Sequence, residues 1–105
     1  MRTVEFRRLL DDENALRVRF GLESGQVVEF VVQLECIFEN RWVAVIRYDT
    51  AHGFAHCDRL HPYEPTLKTR IETRNYNEAL TVALNDLGTH WQDYRNRYER
   101  WLNQR

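Results

Sequence analysis

The sequence predicts an α+β fold: an antiparallel β-meander of five to six strands, with one long C-terminal helix packed on its apolar face. Three observations carry this. The first half of the chain alternates apolar and polar side chains with period 2. Short turn-like stretches separate the runs. The last third switches to helical spacing. At 105 residues the chain fits one domain, residues 1–105, and is large enough to bury a core without staples.

The elements follow in order. Val4, Phe6 and Leu10 alternate with charged residues before the turn "DDEN". Leu16, Val18, Phe20 and Leu22 alternate with Arg17, Arg19 and Glu23 before the turn "ESGQ". The clearest run is "VVEFVVQLECIF". Its even positions Val28, Phe30, Val32, Leu34, Cys36 and Phe38 are apolar, and Glu29, Gln33 and Glu35 are odd. "RWVAVIRY" keeps the parity with Trp42, Ala44, Ile46 and Tyr48, so a short loop at Glu39–Arg41 sets Phe38 opposite Trp42 and Leu34 opposite Ile46. Phe54 to Leu60 form a fifth strand. Leu67, Thr69 and Ile71 form a sixth, entered through Pro62 and Pro65. Strands thus span about residues 2–72.

A helix is expected over about residues 76–103. Asn75 followed by Glu78 gives a capping-box-like start. Leu80, Leu84, Leu87, Trp91, Tyr94, Tyr98 and Trp101 then form one seam with spacings 4, 3, 4, 3, 4, 3. Such a seam also suits a helix dimer. The packed form is preferred because the sheet has a dry face that nothing else in the chain covers. Gly88 interrupts the helix, which predicts a close backbone approach there.

Composition excludes more than it assigns. Net charge is −1, so no global field draws the chain to nucleic acid. No apolar run reaches the ~20 residues of a membrane span. Cys36 and Cys57 show no disulfide pattern, and the N-terminus lacks a secretory signal; a cytoplasmic protein is expected. Fourteen of the fifteen basic residues are Arg, the side chain that grips phosphate or carboxylate through two bonds. A GC-rich genome accounts for that bias as well.

The chemistry gathers in "RYDTAHGFAHCDRLHP", Arg47 to Pro62, around a turn at His52-Gly53. His52, His56, Cys57 and His61, with Asp49 or Asp58, are competent metal ligands. The segment does not read as a helix, and on a strand two histidines four apart lie roughly 13 Å apart. Neither metal nor cofactor is therefore expected. Cys57 beside His56 points to the opposite strand face, which disfavours a nucleophilic pair. Metal-free acid–base chemistry suits the residue types better. His52 and His56 would exchange protons, Arg47 would bind developing phosphorane charge, and Asp49 would orient an imidazole. Tyr48, Arg59 and His61 complete the candidate set as binding residues. A hydrogen-bonded cluster that only fixes the turn uses the same residues. In the helix, His90 reads as a surface residue. Arg95, Arg97, Arg100 and Arg105 interleave with Tyr94, Tyr98 and Trp101, a pattern that packing explains better than single-strand binding.

Arg47, Tyr48, Asp49, His52, Gly53 and His56 match an Arg-Tyr-Asp-x-x-His-Gly-x-x-His core. This core, ahead of a C-terminal helix, resembles a group of small uncharacterised prokaryotic proteins. The layout is also loosely similar to TumE-type toxins of toxin–antitoxin pairs, although Cys57 and Asp58 follow His56 where those toxins carry a denser histidine cluster. That resemblance implies a small toxin-like protein acting on RNA, a possible ribonuclease, with an antitoxin or other protein partner. The alternative is a non-catalytic binding module or a subunit of a larger complex, as monomer or homodimer.

Overall fold

The computed structural model describes residues 1–104; Arg105 lies outside them. Six strands form one antiparallel sheet in sequence order: β1 (Arg2–Asp11), β2 (Asn14–Glu23), β3 (Gln26–Phe38), β4 (Arg41–Asp49), β5 (His56–Arg59) and β6 (Leu67–Arg70). One helix, α1 (Tyr76–Leu102), packs on β3 and β4. This is the α+β architecture that the two periods predict. The molecule is elongated, 47 × 27 × 20 Å, because the 13-residue β3 and the 27-residue helix run its length.

Alternation divides the sheet into two faces. Leu16 and Val18 of β2, Phe30, Val32, Leu34 and Cys36 of β3, and Ile46 of β4 are buried on the helix side. The seam answers them: Leu80, Leu87 and Tyr98 are buried, and Leu84, Trp91, Tyr94 and Trp101 pack against the cluster. Phe38 stacks on Tyr98 at 5.4 Å and Phe30 meets Tyr76 edge-on. The helix starts where expected, with Asn75 Oδ1 accepting from Glu78 N at 2.8 Å. Asn77 Oδ1 accepts from Val27 N, fastening the first turn to β3. Arg95 fastens the far half. It donates to Asn14 Oδ1 at 2.8 Å and to the Ile37 carbonyl at 3.0 Å, with its guanidinium over the Phe38 ring.

Two β-bulges correct the expected register. Leu34 does face Ile46, but Phe38 pairs with Arg41 and Ile37 with Trp42, because Val45 is inserted between the pairs Leu34↔Ile46 and Glu35↔Ala44. The cause is the turn. Glu39 and Asn40 both take positive φ, 52° and 65°, which closes a two-residue hairpin and shifts the register by one. Trp42 therefore lies on the face away from the helix, 41% exposed, and Val45 is buried instead. The same happens at the other end of β3. Ser24 and Gly25 close a second tight turn, Leu22 pairs with Val27, and Val28 is left 37% exposed.

Gly88 does not mark a close approach. A Cβ there would meet nothing within 4 Å, and no positive φ requires glycine. Gly88→Ala should therefore stabilise the protein by about 0.5–1 kcal/mol through helix propensity alone. Leu87→Ala, one residue away and fully buried, should cost ~2–5 kcal/mol. Denaturant midpoints that move in opposite directions for these neighbours would confirm the packing; a loss for Gly88→Ala would refute it.

Candidate functional site on the open face of the sheet

The face away from the helix carries the odd residues of β1, β2 and most of β3, Arg47 and Asp49 of β4, and the even residues of β5 and β6. Antiparallel pairing sets Asp49 opposite His56 and Arg47 opposite Asp58. It also sets His56 opposite Arg70 and Asp58 opposite Lys68. One row therefore crosses the whole sheet: Arg7, Arg17, Gln33, Arg47, Asp58 and Lys68, with each neighbour one strand away.

His56 lies at the centre, 1% exposed. Its Nδ1 is 3.0 Å from Asp58 Oδ1, and its Nε2 is 2.7 Å from Asp49 Oδ1. The Asp49 contact has ion-pair distance but lies off the N–H direction, so Nε2 lacks a directed hydrogen bond. Asp49 is itself fixed by the Ala51 amide, which donates to Oδ1 at 3.0 Å. Lys68 Nζ sits 2.8 Å from Asp58 Oδ1 and 3.3 Å from His56 Nδ1. Arg47 donates from Nε to Gln33 Oε1 at 2.7 Å, with its other end 4.0 Å from Asp58. Gln33 passes the chain on to Glu35 at 2.7 Å, and Arg17 Nε donates to the same carboxylate at 3.0 Å. The network runs from β2 to β6.

Its layering is uneven. The carboxylates of Glu35, Asp49 and Asp58 are 11%, 10% and 7% exposed, whereas Arg17, Arg47 and Lys68 above them are 50%, 34% and 39% exposed. Solvent meets the cations first.

The fold brings together four of the residues singled out from sequence. Asp49 and His56 touch, Arg47 reaches the same aspartate as His56, and His52 stacks on His56 with ring centres 5.7 Å apart. His52 is exposed, and its loop turns at Gly53, φ +82°. Phe54 packs edge-on against His56 and carries the Arg70 guanidinium on its face. His56 itself has both nitrogens against carboxylates and almost no solvent contact.

The fold separates the other three. Tyr48 points to the helix side, where its hydroxyl donates to Asp86 at 2.7 Å beside Tyr94, which donates to the same carboxylate. Arg59 is exposed opposite Ile46, also on the helix side. His61 anchors the following loop. Its Nδ1 accepts from the Tyr63 and Glu64 amides, and its ring stacks on Trp101 at 4.4 Å. A concavity of about 690 Å³ between the β1–β2 turn and the helix, lined by Asp12, Glu13, Trp91 and Arg95, holds none of the histidines.

Asp49, His56 and Asp58 place one ligand atom each within 4.8 Å of one another, so a metal is chemically conceivable. The two ring nitrogens face opposite carboxylates, however, and a single ion reaches only one of them. The space shared by Nδ1 and Asp58 is already taken by the Lys68 ammonium, so the protein supplies its own cation there. Lys68, Gln33 and Asp86 were not marked as site residues from sequence. Lys68 and Gln33 become visible once the register fixes which open-face residues are cross-strand neighbours. Asp86 carries no such signal.

Burial makes the helix-side groups hold their protons. It pushes the Cys57 thiol up to about 11 and the Cys36 thiol up to about 12. Burial, then hydrogen bonding to Asp86, raises both Tyr48 and Tyr94. All four are more strongly protonated folded than unfolded. Their stabilisation is whole below the ordinary values of 9.0 for thiols and 10.0 for phenols, and is lost as pH rises past them. Stability should stay level from pH 7 to about 8.5 and fall steeply above about 10, with Tyr48→Phe shallower in the alkaline limb. An unchanged midpoint at pH 11 would contradict the shared Tyr48–Asp86–Tyr94 bond.

No curated protein and no solved structure matches the chain. A family model described as a domain of unknown function (DUF7718) matches residues 1–104, and the chain belongs to that family.

Proposed function

We propose that the open face of the sheet is a binding surface for the phosphate backbone of single-stranded RNA. The observation that supports this is the layering: buried carboxylates hold Arg17, Arg47 and Lys68 in a row across the strands, with the cations outermost. Arg70, whose ion-pair partner Glu72 is itself exposed, extends the cationic edge. Guanidinium groups bind phosphate through two bonds, and fixing them beforehand lowers the entropy lost on binding. His52 and Trp42 add exposed rings against which bases stack. Net charge of −1 does not oppose this, because the local field of the face governs the encounter.

A ribonuclease-like toxin is the second reading. It is favoured by the exposed imidazole of His52, stacked on a His56 that Asp58 hydrogen-bonds and Asp49 flanks at ion-pair distance. In that scheme His52 is the group that exchanges protons with substrate. His56 positions it, and Arg47 and Lys68 carry the phosphorane charge.

Fluorescence anisotropy on a labelled oligouridine tests both. Four phosphate contacts give a plot of log affinity against log salt with a slope of about −3, at ~0.7 per contact. Arg70→Gln and Arg17→Gln should each flatten it by about 0.7. RNA intact after incubation with chelator supports the binding module. Cleavage that His52→Ala abolishes while binding persists supports the toxin reading. No binding at low salt rejects both.

A further inference from the structure

We propose that a second copy of this chain adds to the free edge of β1, making one continuous sheet across a two-fold axis at Phe6. The two sheet edges differ. β6 has four residues and follows a loop containing Pro62 and Pro65, so that edge is short and guarded. β1 has ten residues, no proline and an edge that pairs with nothing among the described residues. An edge of that length is a template for another strand.

The side chains select the partner and the register. A two-fold axis that keeps the helix faces on one side must pair residues of equal parity. With Phe6 opposite the partner's Phe6, Glu5 lies opposite the partner's Arg7, and Arg7 opposite the partner's Glu5. Shifting by one step of equal parity either way sets Glu5 on the partner's Glu5 or Arg7 on the partner's Arg7, which is repulsive. The self-complementary order Glu5-Phe6-Arg7 thus fits a second copy in one register.

The pairing adds to contacts that both members already have within the chain. Glu5 lies opposite Arg19 and feels the charge of Arg17, and no hydrogen bond among the described residues fixes it. Arg7 faces Arg17 directly across the ladder, a like-charge neighbour, and is held by the Trp42 ring, 4.2 Å from its guanidinium, and by the edge of Glu35 at 3.9 Å. The partner's Glu5 would flank Arg7 on its open side. On the other face Phe6 is 44% exposed, with Val4 beside it only half-buried. Pairing places two Phe6 rings together and extends the dry layer past the reach of the helix.

Light scattering and sedimentation on the full chain should give a concentration-dependent dimer. Glu5→Arg should return it to monomer. The double variant Glu5→Arg with Arg7→Glu, which restores both pairs in reversed sense, should recover it. Mild oxidation should cross-link Phe6→Cys to itself. Val4→Cys and Arg8→Cys should cross-link only when mixed, because Val4 faces the partner's Arg8 in this register alone. The native thiols are buried or half-buried and serve as background. Circular dichroism separates a misfolded variant from a dissociated one, and the cross-links need no charge change. A monomer at all concentrations overturns the proposal. So does a dimer that ignores Glu5→Arg or cross-links Val4→Cys to itself, since it would use another surface or register.

Discussion

Strict alternation along β3 is the constraint on which the rest depends. From Phe30 to Phe38 every even residue is buried against the helix, and Val31, Gln33 and Glu35 face the other way. A strand that is dry on one side and charged on the other tolerates no slip of one residue. It therefore fixes β2 and β4 on its flanks, and through Leu34↔Ile46 it fixes the parity that reaches the motif at Arg47. The helix gains its stability from the same source. Its apolar seam, from Leu80 to Trp101, finds one continuous dry surface along β3 and β4.

The opposite face shows what happens when charged residues must share a surface too crowded to solvate them all. Glu35, Asp49 and Asp58 lie low, and each carries at least one cationic or hydrogen-bonding neighbour above it. Desolvating a carboxylate costs several kcal/mol unless it is paired and fully hydrogen-bonded. The arginines and the lysine are therefore fixed by the acids beneath them as much as by their own stems. That makes the network a unit: loss of one cation leaves a buried anion exposed to the full desolvation penalty. It also explains why the chain's single lysine matters. Its compact ammonium sits between Asp58 and the His56 ring, 2.8 Å from one and 3.3 Å from the other.

Most of the fold was legible from sequence because period and turn chemistry are local signals. Asn75, the seam from Leu80 to Trp101 and the six strands all lie where the pattern puts them. The misses in register share one cause. Positive φ at Asn40 and Gly25, and the bulges that follow, depend on the closing geometry of hairpins rather than on apolar content. They move Trp42 and Val28 out of the core without changing a single hydrophobic letter. Gly88 misled in the other direction: glycine in a helix suggests a tight contact, and the space beside it is open. At the site, residue types in the loop named Asp49, His52 and His56 together. They could not reveal that Lys68, nineteen positions beyond Asp49, completes the cluster, because that neighbour exists only through two further strand pairings.

The ladder also explains why so many polar residues crowd into one short stretch. In Arg47-Tyr48-Asp49 the outer two residues face the open side and the middle one faces the helix. In His56-Cys57-Asp58 the same holds, and pairing sets Asp49 on His56, Tyr48 on Cys57 and Arg47 on Asp58. Each triplet thus places two ionisable groups in the network and one group in the core. Tyr48 then bonds to Asp86 on the helix. A one-residue slip of β5 would set His56 and Asp58 under the helix and expose Cys57, stranding buried charge while breaking the tyrosine's packing. The histidine's environment and the seating of the helix are therefore two sides of one pairing. The open face keeps its geometry because the closed face cannot shift.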